Sequence, residues 1–388
     1  MDKQLNICLL SDSFPPVLDG VANVVLNYAH IIHSGIGSAV IVTPRYPGES
    51  YDYPFPVVHY PSAKTPKTAG YRTGLPYPGI IRDIKKYPID IIHCHSPFMS
   101  AMIAKPLKHA TGAPIIMTYH TKYDIDIENS INSPLMQATV KKIVVSNIEP
   151  CDEVWAVSCG AGENLRGLGY SGGYRVMNNG VDFPKGSAPD EQIQAVSDEF
   201  GLDADTPVFL YVGRMMWYKG IRLILDGLHK AKAGGLQFRM LFVGCGEDFS
   251  EIADLSRTLG LDKECVFVGP VSNREKLRAF YSRADLFLFP STFDSAPVSM
   301  REAAACGLAS VLIRGSSSAE PVTDEKNAIL IEEDAESLAR AVADLAGNTE
   351  RLKMIGCQAM EDLYLPWDTV VKQAYERYCE VLEKHKTK

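Results

Sequence analysis

The sequence predicts an α/β protein made of two doubly wound domains. Short apolar runs alternate with amphipathic segments along most of the 388 residues, which is the pattern of strands and crossover helices in parallel sheets. The runs form two sets, separated by residues 183–190, which are rich in Pro, Gly and Ser. Hydrophobic residues make up 46% of the chain, enough for two cores. We therefore expect Rossmann-like domains at residues 1–183 and 184–366, facing a cleft, and a helical last segment at 367–388.

Eleven apolar runs are the predicted strands. In the first domain they are residues 5–10, 39–43, 89–93, 114–118 and 153–157; in the second they are residues 208–212, 240–243, 265–268, 286–289, 310–313 and 328–331. A run that is apolar at nearly every position is typical of a parallel strand covered on both faces. Residues 21–32 and 367–384 have the spacing of helices.

Charge and composition exclude several classes of protein. The net charge of −8 argues against a nucleic-acid coat, and no apolar run approaches the length of a membrane-spanning helix. The apolar stretch near the start is too short for a signal peptide and has no cleavage pattern. Nine scattered cysteines without a C-x-x-C pair indicate reduced thiols and no zinc site. We expect a protein of the cytoplasm that does not cross a membrane.

Several strand-to-helix turns have residues suited to an anion. Gly20 stands before a helix, where a glycine lets backbone N–H groups approach a phosphate; an ordinary tight turn explains it equally well. In the second domain Gly213 and Arg214 end a strand, and Lys219 precedes the next helix. A guanidinium fork and an ammonium within six residues of each other favour a diphosphate site. Gly244, at the end of the following strand, is a weaker sign of the same kind.

Two carboxylates follow the strand at 286–289. Asp294 lies in the loop and Glu302 eight residues later, in a helix of small residues, so both can reach one pocket above the sheet. Carboxylates in such a place suit sugar and ribose hydroxyls, which each need a hydrogen-bond acceptor. On the residues alone, a turn former or N-cap at 294 and a solvated helix charge at 302 are slightly favoured.

Taken together, these residues resemble the retaining glycosyltransferases of family 4, which have the GT-B fold. The resemblance covers nearly the whole chain in the right order. It rests on Gly213-Arg214, Lys219-Gly220, Asp294, Glu302, the strand ending His93-Cys94-His95, the segment Thr118-Tyr119-His120-Thr121, and Asn179-Gly180-Val181-Asp182. The chain departs from the family pattern where Asp294 replaces a more usual Glu, where Ser-Ala-Pro-Val replaces a Gly-rich loop, and where Asp19-Gly20 replaces Gly-Gly.

The resemblance implies a donor site for a nucleotide sugar, mainly in the second domain. Arg214 and Lys219 would clamp the diphosphate, and Glu302 would accept hydrogen bonds from the ribose. Asp294 would hold the transferred sugar. The resemblance also implies donor-binding positions at Gly20, Gly213 and Gly244, and at Val268, where the backbone would contact the base of the nucleotide. The loop Ser295, Ala296, Pro297 and Val298 would contribute its backbone N–H groups.

The resemblance also implies a mechanism and a place for the last helix. The diphosphate would leave, and its oxygen would take the proton of an acceptor hydroxyl that attacks on the same face. His120 would point at the reacting sugar and is a catalytic candidate together with Asp294, Arg214 and Lys219. This chemistry needs neither a metal nor a cofactor. The helix at 367–388 would cross back to the first domain.

Other histidines and acids have weaker claims. His93 and His95 stand at the end of a strand, and we expect them to point to opposite sides, one lining the site and the other packed. Asp124-Ile-Asp126 has the spacing of a metal-binding pair, but without a nucleotide-binding pattern before it a turn or an acceptor loop is favoured.

The acceptor stays open between two classes. Residues 98–108 and 135–145 mix apolar and basic side chains at helical spacing, which suits docking to an anionic membrane or a lipid acceptor. Ordinary buried helix faces with solvated lysines explain the same pattern at least as well. The segment around His120 is similar to that of bacterial enzymes that glucosylate diacylglycerol. The alternatives are a soluble sugar, a polysaccharide precursor or a small metabolite, and a non-catalytic nucleotide-sugar-binding protein. Epimerase and phosphorylase chemistry lack recognisable residues here.

Overall fold

The computed structural model describes residues 4–17, 19–48, 52–64 and 72–387. The chain divides into two compact units. The N-terminal unit is Met1–Gly180 together with Trp367–Lys388, and the C-terminal unit is Val181–Pro366.

The N-terminal unit alternates strands and helices. Its elements before residue 181 are β1 (Leu5–Leu10), α1 (Gly20–Ile31), β2 (Gly37–Pro44), β3 (Val57–Tyr60), β4 (Ser62–Lys64), β5 (Arg72–Gly74), α2 (Ile80–Ile84), β6 (Ile91–Cys94), α3 (Met99–Thr111), β7 (Ile115–Tyr119), α4 (Tyr123–Ser130), α5 (Pro134–Ile148), β8 (Glu153–Ala156), α6 (Cys159–Gly167) and β9 (Arg175–Val176). A π-helical turn, Ile32–Ile36, joins α1 to β2.

Over the described residues, seven strands form one parallel sheet in the order β3-β2-β1-β6-β7-β8-β9. The central strands are apolar and covered on both faces; every residue of β6 and β7 is buried. The chain leaves β1 toward β2 on one side and later returns to β6 on the other. Such a reversal opens a crevice at the carboxyl ends of β1 and β6, where α/β proteins bind ligands.

The C-terminal unit repeats this plan. Its elements are α7 (Asp190–Phe200), β10 (Val208–Val212), α8 (Ile221–Ala233), β11 (Arg239–Val243), α9 (Phe249–Thr258), β12 (Cys265–Gly269), α10 (Arg274–Arg283), β13 (Leu286–Phe289), α11 (Val298–Ala305), β14 (Ser310–Ile313), β15 (Ile329–Ile331), α12 (Ala335–Ala346) and α13 (Thr349–Leu363). Short 3-10 turns lie at Trp217–Lys219 and Ser317–Ala319.

Within this unit the described parallel sheet has the order β12-β11-β10-β13-β14-β15. The chain reverses between β10 and β13, so the carboxyl ends of these two strands flank a second crevice. Side chains of β10, β11, β13 and β14 fill one apolar core between the helices.

The last helix, α14 (Trp367–Lys386), packs on the N-terminal unit. The hydroxyl of Tyr375 accepts a hydrogen bond of 2.6 Å from the Leu5 backbone N–H, and Arg377 pairs with Glu153. The Tyr378 ring stacks on Trp155 with centroids 5.4 Å apart. The chain therefore returns to the unit in which it began. Among the described helices, none is both long and apolar enough to span a bilayer.

Candidate functional site

The first part of the candidate site is the edge of the C-terminal sheet where β10 and β11 end. Gly213 donates its N–H to the Val243 carbonyl at 3.0 Å, and Gly244 adopts φ +138°. A Cβ atom on Gly244 would lie 1.9 Å from the Gly213 carbonyl oxygen. Both the backbone angle and the close approach require glycine at 244. Two strand ends are thus held together without side chains between them.

Lys219 and Asp294 meet beside this edge. The Lys219 Nζ donates to Asp294 Oδ1 at 2.5 Å, and the Ser291 hydroxyl donates to Oδ2 at 2.6 Å. The Lys219 side chain is 8% exposed, and its Nζ lies 4.6 Å from the centroid of the Phe293 ring. Gly220 is in the left-handed region at φ +78°, with no room for a Cβ beside the Pro290 carbonyl. The two loops therefore interlock, and the ammonium is fixed in place.

Arg214 lies in the same loop as Lys219. Its carbonyl accepts a 3.0 Å hydrogen bond from the Tyr211 hydroxyl, and its guanidinium carbon lies 5.9 Å from the Tyr218 ring centroid. The structure thus brings the two predicted cations to one edge, around one aromatic side chain.

The loop after Asp294 leads into the N-terminus of α11. Pro297 has no N–H, so the backbone donors of the predicted set are those of Ser295, Ala296 and Val298. The Ser295 hydroxyl is buried and has no hydrogen-bond partner among the described residues. Ser318 donates to the Asp294 carbonyl at 3.2 Å. Donors at a helix start, together with an unsatisfied hydroxyl, suit an oxygen-rich ligand.

Glu302 is buried in α11, and both of its oxygens have partners. Arg274 donates to Oε1 at 2.6 Å and the Tyr281 hydroxyl donates to Oε2 at 2.7 Å. Burial would lower the pKa of Arg274, but the charges of Glu302 and Asp182 raise it instead. Each carboxylate oxygen keeps a further lone pair, so Glu302 can still accept from a ligand. The sequence reading missed Arg274 and Tyr281, which carry no motif.

Val268 is the penultimate residue of β12, an edge strand of this sheet. The next residue, Gly269, accepts a 2.9 Å hydrogen bond from the Gly244 N–H, where the strand register shifts. The backbone at Val268 therefore lies one residue from the edge formed by Gly213 and Gly244.

In the N-terminal unit, Gly20 is the first residue of α1. Asp19 caps this helix, accepting from the Ala22 N–H at 2.7 Å and from the Ser13 hydroxyl at 2.6 Å. A Cβ on Gly20 would meet no atom within 4 Å. The fold of the described residues does not itself demand a glycine there.

Three buried histidines gather at the carboxyl ends of β6 and β7. His95 Nδ1 lies 3.0 Å from His120 Nε2, and His93 binds the hydroxyls of Tyr378 and Thr118 at 2.6 and 2.7 Å. Burial lowers the pKa of His120 to about 3, and burial followed by neighbouring imidazoles lowers the pKa of His93 and His95. All three are therefore neutral near pH 7.

The expectation that His93 and His95 point to opposite sides is wrong. Their ring centroids are 4.0 Å apart. Side chains two residues apart along a strand share a face, because successive residues alternate. Both rings therefore belong to the same cluster as His120.

Asp124 and Asp126 lie in the first turn of α4, and Asp124 accepts a 2.9 Å hydrogen bond from the Asn164 side-chain amide. Among the described residues, no group of three or more His, Cys, Asp or Glu side chains is arranged to hold a metal ion. The Asp124 contact ties α4 to α6.

Comparison with known proteins identifies the family. The model of "Glycosyltransferase Family 4" matches residues 18–184, and that of "Glycosyl transferases group 1" matches residues 192–362. The chain belongs to the family-4 glycosyltransferases. The resemblance seen in its sequence is thereby confirmed, although no single motif in it was decisive.

Individual relatives of this glycosyltransferase are distant but full-length. It is 23% identical to an α-monoglucosyldiacylglycerol synthase of Acholeplasma laidlawii, over 97% of this chain and 96% of the relative. It is also 23% identical to a GDP-mannose-dependent α-mannosyltransferase of Corynebacterium glutamicum, over 99% and 89%.

Solved structures share the fold of this glycosyltransferase. Sucrose-phosphate synthase of Thermosynechococcus elongatus superposes with a TM-score of 0.80 at 20% identity, covering 98% of this chain and 100% of the other. HepE of Anabaena, solved with UDP and glucose, gives 0.76 at 17% identity, covering 97% and 100%. The predicted fold class, α/β with two Rossmann-like domains of the GT-B type, is confirmed.

This glycosyltransferase also carries exposed apolar side chains on α3 and α5. They are Met102, Leu135, Met136 and Ile143. Some nearby lysines are engaged within the unit: Lys105 donates to the Asn147 side chain, Lys108 to Asp152, and Lys141 to Glu128. Both helices therefore expose apolar side chains, and some of the lysines among them have hydrogen-bond or ionic partners within the N-terminal unit.

Proposed function

We propose that this chain is a retaining, metal-independent glycosyltransferase that moves a hexose from a UDP-sugar to an acceptor hydroxyl. The proposal depends mainly on one observation: the nearly buried ammonium of Lys219, held at the sheet edge formed by Gly213 and Gly244. A fixed cation beside bare backbone is suited to an anion that gains charge as its bond to the sugar breaks.

The residues of the C-terminal unit have distinct roles in this proposal. Lys219 and Arg214 stabilise the charge that develops on the leaving diphosphate, so no metal ion is required for that purpose. Asp294 and the N–H groups of the loop after it hold the transferred sugar. Glu302, oriented by its hydrogen bond from Arg274, accepts from the ribose. Lys219 has three N–H donors and can bind a phosphate oxygen while keeping Asp294.

Retention of configuration is the outcome expected from these proposed roles. With the diphosphate oxygen as proton acceptor, the hydroxyl attacks from the face that the diphosphate leaves. The names of both relatives describe α-linked transfer, which from an α-linked nucleotide sugar is retention. UDP is favoured because HepE was solved with UDP and UDP-glucose; the mannosyltransferase relative makes GDP the second candidate.

A membrane lipid is the proposed acceptor, at the inner face of the cell membrane. The Acholeplasma relative is named for a glucosylated diacylglycerol, and four large apolar side chains are exposed on two helices of the N-terminal unit. Exposed apolar side chains beside lysines are suited to a bilayer interface. A soluble sugar, a polysaccharide precursor, a small metabolite, or binding without turnover are the alternatives that the experiment distinguishes.

The test is calorimetry with UDP, GDP and ADP and their sugars, followed by transfer assays in EDTA. We expect UDP to bind. From a mixed acceptor set of lipid vesicles, soluble sugars, polysaccharide precursors and small metabolites, we expect a lipid in anionic vesicles to be glycosylated, with an α linkage seen by NMR of the product. Failure of every nucleotide diphosphate to bind at high micromolar concentration overturns the proposal. Loss of activity in EDTA that a divalent ion restores rejects metal independence, and a β-linked product rejects retention.

Membrane contact has its own test. Met136 on α5 is 58% exposed, and Met136→Glu places a negative charge there. We expect this variant to co-sediment more weakly with anionic vesicles than the wild type does. Met354→Glu is the matched control, because Met354 is 61% exposed in the C-terminal unit. Equal sedimentation of both variants and of the wild type removes α5 from the proposed lipid-facing surface.

A further inference from the structure

His95 is the partner of His120, and it lies deeper in the N-terminal unit. Its Nδ1 is 3.0 Å from His120 Nε2, the two rings are within 22° of parallel, and their centroids are 5.2 Å apart. His95 is completely buried, whereas His120 keeps 9% of its surface exposed. His120 therefore has one nitrogen turned to His95 and only Nδ1 left to offer a substrate.

The contact requires one donor and one acceptor. Burial keeps the pKa of both imidazoles low, so each ring carries a single N–H near pH 7. In one arrangement His95 Nδ1–H donates to His120, whose own proton is then on Nδ1. In the other, His120 Nε2–H donates to His95, whose proton is then on Nε2.

The surroundings of His95 decide between these arrangements. Its Nε2 is buried and has no hydrogen-bond partner among the described residues. The adjacent His93 cannot serve, because both of its nitrogens are bound to Thr118 and Tyr378. The first arrangement leaves only an unused lone pair at His95 Nε2, whereas the second leaves a buried N–H. Native proteins tolerate an unsatisfied acceptor better than an unsatisfied N–H.

We infer that His95 is a positioning residue that fixes His120 as the Nδ1–H tautomer, so that His120 donates a hydrogen bond to a substrate oxygen. This inference builds on the proposed function. A histidine that already carries a proton on its substrate-facing nitrogen cannot take the proton of the acceptor hydroxyl. Proton removal is then left to the departing diphosphate, in agreement with the same-face attack proposed above.

The substituted proteins are His95→Phe and His95→Asn. Phe keeps the ring packed against His93 but removes the hydrogen bond; Asn loses the ring but places an amide N–H near the position of Nδ1. His30→Phe is the control, because His30 contacts Phe55 on the other side of α1 and takes no part in the cluster. We expect kcat to fall about 10- to 100-fold in His95→Phe, as when a histidine loses its orienting partner, and to recover in His95→Asn.

A spectroscopic readout does not depend on the variants. Long-range ¹H–¹⁵N spectra of the histidine-labelled wild-type protein should show His120 protonated on Nδ1. Protonation on Nε2 overturns the inference, as does turnover of His95→Phe within about twofold of the wild type, or a folded His95→Asn no better than His95→Phe. UDP binding is measured on the same samples: its absence defeats the proposed function, whereas the tautomer result stands or falls independently.

Discussion

Replacing Lys219 by Met separates the structural role of its charge from the catalytic one. Met keeps an unbranched stem beside Phe293 but cannot donate to Asp294 Oδ1. The Asp294 carboxylate would then keep only its hydrogen bond from the Ser291 hydroxyl, at Oδ2. Breaking a buried pair costs about 3–5 kcal/mol. The Asp294 side chain is 18% exposed, so solvent relieves part of that loss and we expect about 2 kcal/mol. For a unit of this size, Tm should fall by about 4–8 °C.

The effect on rate should be larger. A preorganised donor to developing negative charge contributes about 10²–10³-fold to kcat, so Lys219→Met should lose that much in a transfer assay with saturating UDP-sugar. Adding Asp294→Asn removes the unpaired charge and should restore Tm without restoring kcat.

Lys230→Met is the matched control, since Lys230 forms an exposed 3.3 Å pair with Glu336 in the same unit and should cost at most about 1 kcal/mol. If Lys219→Met turns over within about threefold of the wild type, the stabilisation argument is refuted whatever its Tm.

Three further predictions concern the rest of the structure. Glu302→Gln should weaken UDP-sugar binding in calorimetry about tenfold while changing kcat less, through loss of a charge-assisted acceptor; unchanged affinity would make this acid purely structural. Gly244→Ala should destabilise by more than about 3 kcal/mol in chemical denaturation, because its Cβ would strike a carbonyl oxygen, whereas Gly235→Ala has open space and should cost about 1 kcal/mol; equal losses contradict the packing argument. Burial raises the pKa of Glu153, but the hydrogen bond and charge of Arg377 lower it by more, so that the net pKa lies below the ordinary value of a glutamate. Its stabilisation is therefore present above the unfolded pKa of about 4.3 and is lost on acidification, so the Tm advantage of wild type over Glu153→Gln should shrink between about pH 6 and pH 3. A constant difference contradicts this linkage.

The central strands could be predicted from local pattern alone. The predicted strands at 208–212 and 286–289 coincide with β10 and β13, whose apolar runs reflect cover on both faces. The edge strands β3 and β9 were missed. β9 is two residues long and partly exposed, and β3 is largely half-buried, so neither has the continuous apolar run that marks a central strand.

The candidate site was predictable where it depends on residue type at a strand end. Gly213 and Gly244 could be found because tight turns after parallel strands select glycine. The partners of Asp294 and Glu302 could not. Lys219 is 75 residues from Asp294, and Arg274 is 28 residues from Glu302, with no pattern linking either pair.

The sequence by itself determined the family, the order of strands and helices, and the residue types at the strand ends of the candidate site. The order of the elements depends on burial periodicity and backbone conformation, which are local properties of the chain, whereas the family follows from the resemblance of a set of motifs in their order along it. Only the tertiary structure decided which distant groups meet: Lys219 with Asp294, Glu302 with Arg274, and His95 with His120 at the carboxyl ends of two neighbouring strands. The reason is that the parallel sheet order brings the carboxyl ends of neighbouring strands together, however far apart they are along the chain.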